Sequence, residues 1–141
     1  YCLDIKGYQE RAKVSLGLQA HTCYSYQGQV AVDQGFAEAK LAQGEFFISA
    51  FNVCMSSKAK EGASVSLTQC GGQNEQSFTL TESGEIHPAQ SDELCLMVAL
   101  GTPRQGKGGR PPHLMRELSF ERCSPELADY QKWGMRSNSR P

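Results

Sequence analysis

Long apolar runs, net charge and closely spaced cysteine pairs are all missing from this sequence of 141 residues. The longest apolar runs span only a few residues, such as Phe46-Phe47-Ile48, whereas a membrane-spanning helix needs about 20. The 14 Lys and Arg residues nearly balance the 15 Asp and Glu residues, so a formal charge of -1 disfavours nucleic acid and acidic membrane surfaces as partners. No C-x-x-C pair occurs and His21, His87 and His113 are scattered, so no metal site or cofactor is predicted.

The residues that are present suit one soluble globular domain. Apolar residues make up 39% of the chain, and the 14 glycines bring the share near half. The length is too small for two independent cores, so residues 1–141 are predicted to form a single domain.

Six cysteines are spread across the whole length. They are Cys2, Cys23, Cys54, Cys70, Cys95 and Cys123. The even number and wide spacing favour disulfides formed in an oxidising compartment over buried cytosolic thiols. Six cysteines allow 15 pairings, and their number alone does not choose among them.

Alignment on the cysteines reveals three repeats, which we call units one, two and three. They cover approximately residues 1–47, 48–88 and 89–136, with a tail at 137–141. Each unit contains Cys-apolar-x, then a segment ending in the second cysteine, then Gln-x-aromatic. Identical units most simply carry identical disulfides, which predicts Cys2–Cys23, Cys54–Cys70 and Cys95–Cys123.

The repeats predict an all-β fold. Val65-Ser66-Leu67-Thr68 and Leu118-Ser119-Phe120-Glu121 alternate apolar and polar residues, as half-buried antiparallel strands do. One unit cannot bury its apolar face alone, so the three units are expected to share a core that contains Phe36, Phe78 and Trp133.

Three segments depart from this pattern. Residues 37–42 are rich in helix formers, although tertiary context often overrides such propensity. A short helical turn is expected at residues 124–129, where serine precedes proline. Residues 101–112, rich in Gly and Pro, are expected to be an exposed insertion without regular structure, and their basic residues Arg104, Lys107 and Arg110 leave anion binding open as an alternative.

Cys2-Leu3-Asp4 and the three Gln-x-aromatic motifs resemble the ricin-type (R-type) lectin family, including the lectin modules of polypeptide N-acetylgalactosaminyltransferases. The resemblance implies a β-trefoil with pseudo-threefold symmetry and a non-catalytic activity, the binding of glycans that contain galactose or N-acetylgalactosamine. The expected disulfide framework, for its part, predicts a secreted protein or one in the secretory-pathway lumen. Since the sequence begins at Tyr1 without Met, we expect a mature product or a module of a larger protein.

The same resemblance implies one main sugar site, in unit one. An aspartate two residues after the first cysteine accepts hydrogen bonds from sugar hydroxyls, and a ring two residues before the second cysteine supports the sugar. Units two and three have Ser56 and Met97 at the aspartate position. The implied carbohydrate-binding residues are Asp4, Gln19, His21, Asp33 and Gln34.

Each of these assignments has a structural alternative. Asp4 could cap a turn, His21 could be an ordinary surface residue of a strand, and Gln34 could make a structural hydrogen bond. Tyr24 or Tyr26 could supply the sugar platform instead of His21.

Three functions follow from the sequence. The first is a carbohydrate-binding module that gains avidity from an attached domain or an oligomer. The second is a trefoil that has lost sugar binding and recognises protein. Catalysis is hardly supported, since no Ser or Cys nucleophile is placed by a motif.

Overall fold

The computed structural model describes residues 1–6, 12–22, 36–105 and 114–134, which form mainly short β-strands. The strands are β1 (Cys2–Ile5), β2 (Leu18–His21), β3 (Phe47–Ile48), β4 (Val53–Ser56), β5 (Ala63–Ser64), β6 (Ser66–Thr68), β7 (Phe78–Leu80), β8 (Ile86–Pro88), β9 (Leu94–Val98), β10 (Arg104–Gln105), β11 (Leu114–Arg116) and β12 (Leu118–Arg122). The helices are α1 (Glu38–Leu41), α2 (Ala128–Gln131) and single 3-10 turns at Val14–Leu16, Asn74–Gln76 and Pro125–Leu127. The described part of the chain is therefore mostly β, as predicted.

Each unit contains the same antiparallel pair of strands. β1 pairs with β2 in unit one, β4 with β6 in unit two, and β9 with β12 in unit three. Disulfides Cys54–Cys70 and Cys95–Cys123 join the first strand of units two and three to the residue segment after the second strand. Both are the bridges that the repeat predicts. The predicted Cys2–Cys23 bridge stays a prediction, because Cys23 lies outside the described residues.

The units are joined to one another through strand edges. β11 of unit three pairs with β2 of unit one, and β5 of unit two pairs with β12 of unit three. Between units one and two, the Leu18 amide donates to the Val65 carbonyl at 3.4 Å. Each unit therefore contacts both of the others through backbone groups.

Aromatic rings connect the units inside the core. The rings of Phe78 and Phe120 stack with centroids 5.7 Å apart, and Phe46 meets Phe78 edge-on at 5.8 Å. Phe36 meets Phe46 edge-on at 5.9 Å. Phe78 is buried, while Phe36 and Trp133 are half-buried and pack against the core, so all three predicted core aromatics lie in or against it.

Two glycines allow the chain to pass close to the aromatic motifs. Gly44 has φ +85° and accepts a hydrogen bond from the Phe78 amide at 3.0 Å, and Gly84 has φ +96° and accepts one from the Trp133 amide at 2.7 Å. A Cβ at either glycine would lie 2.9 Å or 2.8 Å from the carbonyl oxygen of the same partner. Any other residue at these two positions would therefore be strained and would clash with backbone.

The helical predictions hold, and one loop prediction is wrong. A 3-10 turn at Pro125–Leu127 leads into α2, and α1 forms within residues 37–42. The expectation of an insertion without regular structure fails at Arg104–Gln105, because β10 pairs with the free edge of β11, whose other edge pairs with β2. Residues 106–112 of the insertion and the tail at 137–141 lie outside the described residues. Among the described helices, none has the length and apolar character needed to cross a membrane.

Candidate functional site

Strand register brings three of the predicted site residues onto one face of unit one. Asp4 lies directly opposite Gln19, and His21 lies opposite Cys2, in the β1–β2 pair. Side chains two residues apart on a strand share a face, and directly opposed residues of paired strands share it too. Asp4, Gln19 and His21 therefore project to the same side of the sheet.

A chain of two hydrogen bonds fixes the orientation of the Gln19 amide. Gln19 Nε2 donates to Asp4 Oδ2 at 3.1 Å, and Arg104 Nη2 donates to Gln19 Oε1 at 3.0 Å. A guanidinium can only donate and a carboxylate can only accept, so the amide cannot be flipped without losing both bonds. Arg104, on β10 of unit three, thus helps to order a pair of residues in unit one.

Glu117 holds the Arg104 side chain beside this pair. Arg104 Nη2 lies 3.3 Å from Glu117 Oε1, and Lys6 Nζ lies 2.9 Å from Glu117 Oε2. The side chains of Arg104 and Glu117 are 58% and 57% exposed, so their ion pair adds little to stability. Its effect is to restrict where the guanidinium sits.

All three described site residues are buried. Asp4 is 1% exposed, Gln19 2% and His21 7%, so the alternative that His21 is an ordinary surface residue is wrong. His21 Nδ1 donates to the Thr22 carbonyl at 2.7 Å. Because a carbonyl only accepts, this contact places a proton on Nδ1. A buried imidazole offers little open ring surface for a sugar to stack on.

Asp33 and Gln34, with the alternative platforms Tyr24 and Tyr26, lie outside the described residues. The equivalents of Gln34 in the other units are Gln76 and Gln131, and both are 1% exposed. Their contacts therefore show what this glutamine does in units two and three.

Gln76 binds the segment that carries Cys70. Its Nε2 donates to Thr68 Oγ1 and to the Gln69 carbonyl, both at 2.7 Å, and its Oε1 accepts from the Gly71 amide at 2.9 Å. The side chain thus joins the 3-10 turn at Asn74–Gln76 to the end of β6.

Gln131 makes the corresponding contacts in unit three. Its Nε2 donates to the Arg122 carbonyl at 2.9 Å and contacts Met97 Sδ at 3.5 Å, and its Oε1 accepts from the Ser124 amide at 2.9 Å. In both units the glutamine is a structural residue that holds the chain on either side of the second cysteine.

The same strand register recurs in the other units with different side chains. Ser56 lies opposite Ser66 in unit two, and Met97 lies opposite Ser119 in unit three, where unit one has Asp4 opposite Gln19. Among the described residues at these positions, only those of unit one form a carboxylate–amide pair.

One group of side chains has the composition of a metal site. Glu85, His87, Cys95 and Cys123 place their ligand atoms within 4.8 Å of one another. Cys95 and Cys123 form a disulfide, and a disulfide sulfur is not a thiolate ligand. His87 Nδ1 donates to the Leu94 carbonyl at 2.7 Å, so the group leaves one imidazole nitrogen and one carboxylate, too few for a structural metal site.

Arg104 is a site residue whose contact with Gln19 the sequence does not predict. It was predicted to lie in an unstructured insertion, yet it contacts Gln19 across 85 residues of sequence. A second unpredicted contact lies on the same sheet, where Arg116 Nε donates to the Tyr1 hydroxyl at 2.8 Å and its guanidinium carbon lies 5.6 Å from the centre of the Tyr1 ring. Neither contact has a local sequence signal, because each joins segments from opposite ends of the chain.

A comparison with known protein families identifies the family of this chain. Residues 42–140, which are 99 of the 141, match the model of the ricin-type beta-trefoil lectin domain. The matched residues begin after Asp4, Gln19 and His21, so they comprise the end of unit one, units two and three, and residues 137–140 of the tail. No curated protein and no solved structure matches the chain. The chain belongs to the ricin-type beta-trefoil lectin family.

Proposed function

We propose that this protein is a carbohydrate-binding module with one main site, in unit one, for glycans that contain galactose or N-acetylgalactosamine. The observation that carries the proposal is the Asp4–Gln19 pair, in which a carboxylate and an oriented amide lie side by side. Such a pair offers acceptors and a donor to neighbouring sugar hydroxyls. Of the three units, only unit one has this pair among the described residues.

Burial of the pair sets an expectation for affinity. Asp4 and Gln19 are 1% and 2% exposed, so sugar hydroxyls reach them only after neighbouring side chains move. The free energy of that movement reduces the apparent affinity. We therefore expect weak binding by a single module and avidity from an attached domain or an oligomer.

The proposal extends to fold, location and chemistry. We infer a β-trefoil architecture, similar to the lectin modules of polypeptide N-acetylgalactosaminyltransferases, and a role without catalysis. Disulfides Cys54–Cys70 and Cys95–Cys123 support a secreted protein or one in the secretory-pathway lumen, because disulfides persist in oxidising compartments.

A glycan array tests the proposal. The fluorescently labelled protein, immobilised at several densities or multimerised to supply avidity, is expected to retain glycans with terminal galactose or N-acetylgalactosamine. Asp4→Asn keeps the shape of the side chain and removes its charge, and Asp4→Ala removes both acceptors, so both variants should lose the signal. Asp92→Ala, which changes an exposed aspartate of unit three, should keep it.

The outcomes separate the possibilities. Folding of each variant is checked by fluorescence of the single tryptophan, Trp133. Hits that survive in folded Asp4→Asn and Asp4→Ala would move the sugar site out of unit one. An array without hits at any density would reject carbohydrate binding by this module.

Protein recognition is the second candidate function. It is favoured by the burial of Asp4, Gln19 and His21 and by the absence of a carboxylate at Ser56 and Met97. The strand pairs of units two and three keep the register of unit one without its carboxylate, and they can support contacts with a protein partner instead.

A further inference from the structure

Unit three contains an open cavity at the register position of the candidate sugar site. The cavity has a volume of about 510 Å³ and is lined in part by Met97, Ser119 and Glu121. Met97 and Ser119 oppose each other across β9 and β12 as Asp4 and Gln19 do in unit one, and Glu121 has the position of His21. Unit three has therefore kept the place of the site while its chemistry has changed.

The lining of this cavity suits methylene groups. Met97, 6% exposed, contributes a thioether, which does not accept two strong hydrogen bonds from a sugar diol. Gln131 Nε2 contacts its sulfur at 3.5 Å and so restrains the side chain. Leu127 and Leu100 line the cavity as well, and the side chain of Leu100 is 56% exposed, so it is accessible to a partner.

The mouth of the cavity is acidic. The carboxylates of Glu61 and Glu121 line the cavity. Arg122 is the one cation among its described lining residues, and Arg122 also pairs with a third carboxylate, that of Glu93. Arg122 lies 3.7 Å from Glu61 and 3.9 Å from Glu93, with its side chain 70% exposed, so these ion pairs are weak. Ser119 Oγ donates to Glu121 Oε2, which holds that carboxylate against the wall. Three carboxylates against one guanidinium leave this surface negative.

We propose that the unit-three cavity binds the side chain of an arginine on a partner protein. The aliphatic stem would lie on Met97 and Leu127, and the guanidinium would meet the carboxylate of Glu121. Arginine fits because its planar head pairs with a carboxylate through two hydrogen bonds and its stem packs on apolar surface. Exposed Leu100 at the rim would contact the partner around the inserted side chain, as the surroundings of an arginine anchor do in protein interfaces. This proposal concerns a different unit and a different ligand from the glycan site, so it stands or fails independently of it.

Nuclear magnetic resonance titration of the oxidised full chain tests the proposal. The probe is N-acetyl-L-arginine N-methylamide, and N-acetyl-L-citrulline N-methylamide has nearly the same shape without the charge. The arginine probe should give saturable shifts at the backbone amides of residues 97–100 and 119–124, with a dissociation constant on the order of 1 mM for so small a ligand. The citrulline probe should bind at least about tenfold more weakly, since it lacks the charge-assisted pair.

Matched variants locate the binding. Glu121→Gln keeps the size of the side chain and should lower the affinity for the arginine probe about tenfold. Glu82→Gln makes the same charge change at an exposed position of unit two and should leave the affinity for the arginine probe unchanged. If Glu121→Gln fails to fold, Glu61→Gln is measured instead. Its loss of affinity for the arginine probe is expected to be smaller, because Glu61 lies at the cavity mouth.

Three results would overturn the proposal. They are equal binding of the arginine and citrulline probes, full binding by the folded Glu121 or Glu61 variant, and shifts confined to unit one. Saturable binding of D-glucosamine at residues 97–100 and 119–124, tighter than that of the arginine probe, would also overturn it and identify an amino-sugar site instead.

Discussion

Gln76→Ala is expected to destabilise the protein although Gln76 lies far from the candidate sugar site. The substitution removes the three hydrogen bonds to Thr68, Gln69 and Gly71, at 2.7, 2.7 and 2.9 Å. The lost bonds are those that hold the segment around Cys70 to the 3-10 turn. The same change at Gln73, an exposed glutamine three residues earlier, removes no described side-chain hydrogen bond and is the matched control.

The magnitude follows from the number of bonds and the exposure of their partners. Each hydrogen bond contributes about 1 kcal/mol net, so three give about 3 kcal/mol before correction. Water can replace part of this at Thr68, Gln69 and Gly71, which are all exposed residues, and this leaves a loss of about 2 kcal/mol in the free energy of unfolding. For a domain of this size the melting temperature should fall by roughly 6 °C.

Urea unfolding with intact disulfides, followed by Trp133 fluorescence, measures the change. The urea dependence should keep its slope, because the substitution alters stability and not the surface exposed on unfolding. A loss below about 0.5 kcal/mol, or one equal to that of Gln73→Ala, would refute a structural role for the buried glutamine. Glycan binding by unit one should stay unchanged in the folded variant.

Further variants test the contacts between units. Arg104→Ala should weaken glycan binding about fivefold, or about 1 kcal/mol, by freeing the neighbouring amide to rotate; titration calorimetry measures it, and an Arg104→Ala affinity equal to wild type contradicts the positioning role. Trp133→Phe removes the hydrogen bond, 3.0 Å long, that Trp133 Nε1 donates to the Leu96 carbonyl. The free energy of unfolding should fall by about 1 kcal/mol, as measured by thermal unfolding followed by circular dichroism. No change would show that water replaces the bond. Double alanine substitution of Cys54–Cys70 or of Cys95–Cys123, with separations of 16 and 28 residues, should cost about 3 and about 3.5 kcal/mol in urea unfolding; losses below about 1 kcal/mol would contradict the loop-entropy estimate.

The strand register of the units could be predicted because cysteines mark it in the sequence. Counting two residues from the first cysteine identified Ser56 and Met97 as the counterparts of Asp4, and the structure places all three at the same register position. The Gln-x-aromatic motifs likewise mark the positions of Gln76 and Gln131, whose side chains make corresponding hydrogen bonds in the structure. Both are local patterns, repeated often enough to be compared.

The environment of the candidate site could not be predicted in the same way. The contact between Arg104 and Gln19 depends on β11 docking at the edge of β2, and that docking leaves no periodic pattern in either segment. Burial of His21 has the same origin, since the polarity of a residue in a half-buried strand does not tell whether another unit lies over it. At α1, by contrast, local propensity was sufficient, because the helix formers of residues 37–42 do form a helical turn.

The pairing of β2 with β11 has a consequence for the order of folding. The Thr22 amide donates to the Leu114 carbonyl at 2.9 Å, and the Leu114 amide donates to Thr22 Oγ1 at 2.7 Å, across 92 residues of sequence. Contacts so distant along the chain form slowly, because the entropy of closing the intervening loop must be lost first. On the ribosome, β1 and β2 emerge early but acquire their neighbouring strand only after unit three has been synthesised. The sheet that contains β1 and β2 can thus be completed only after β11 has been synthesised.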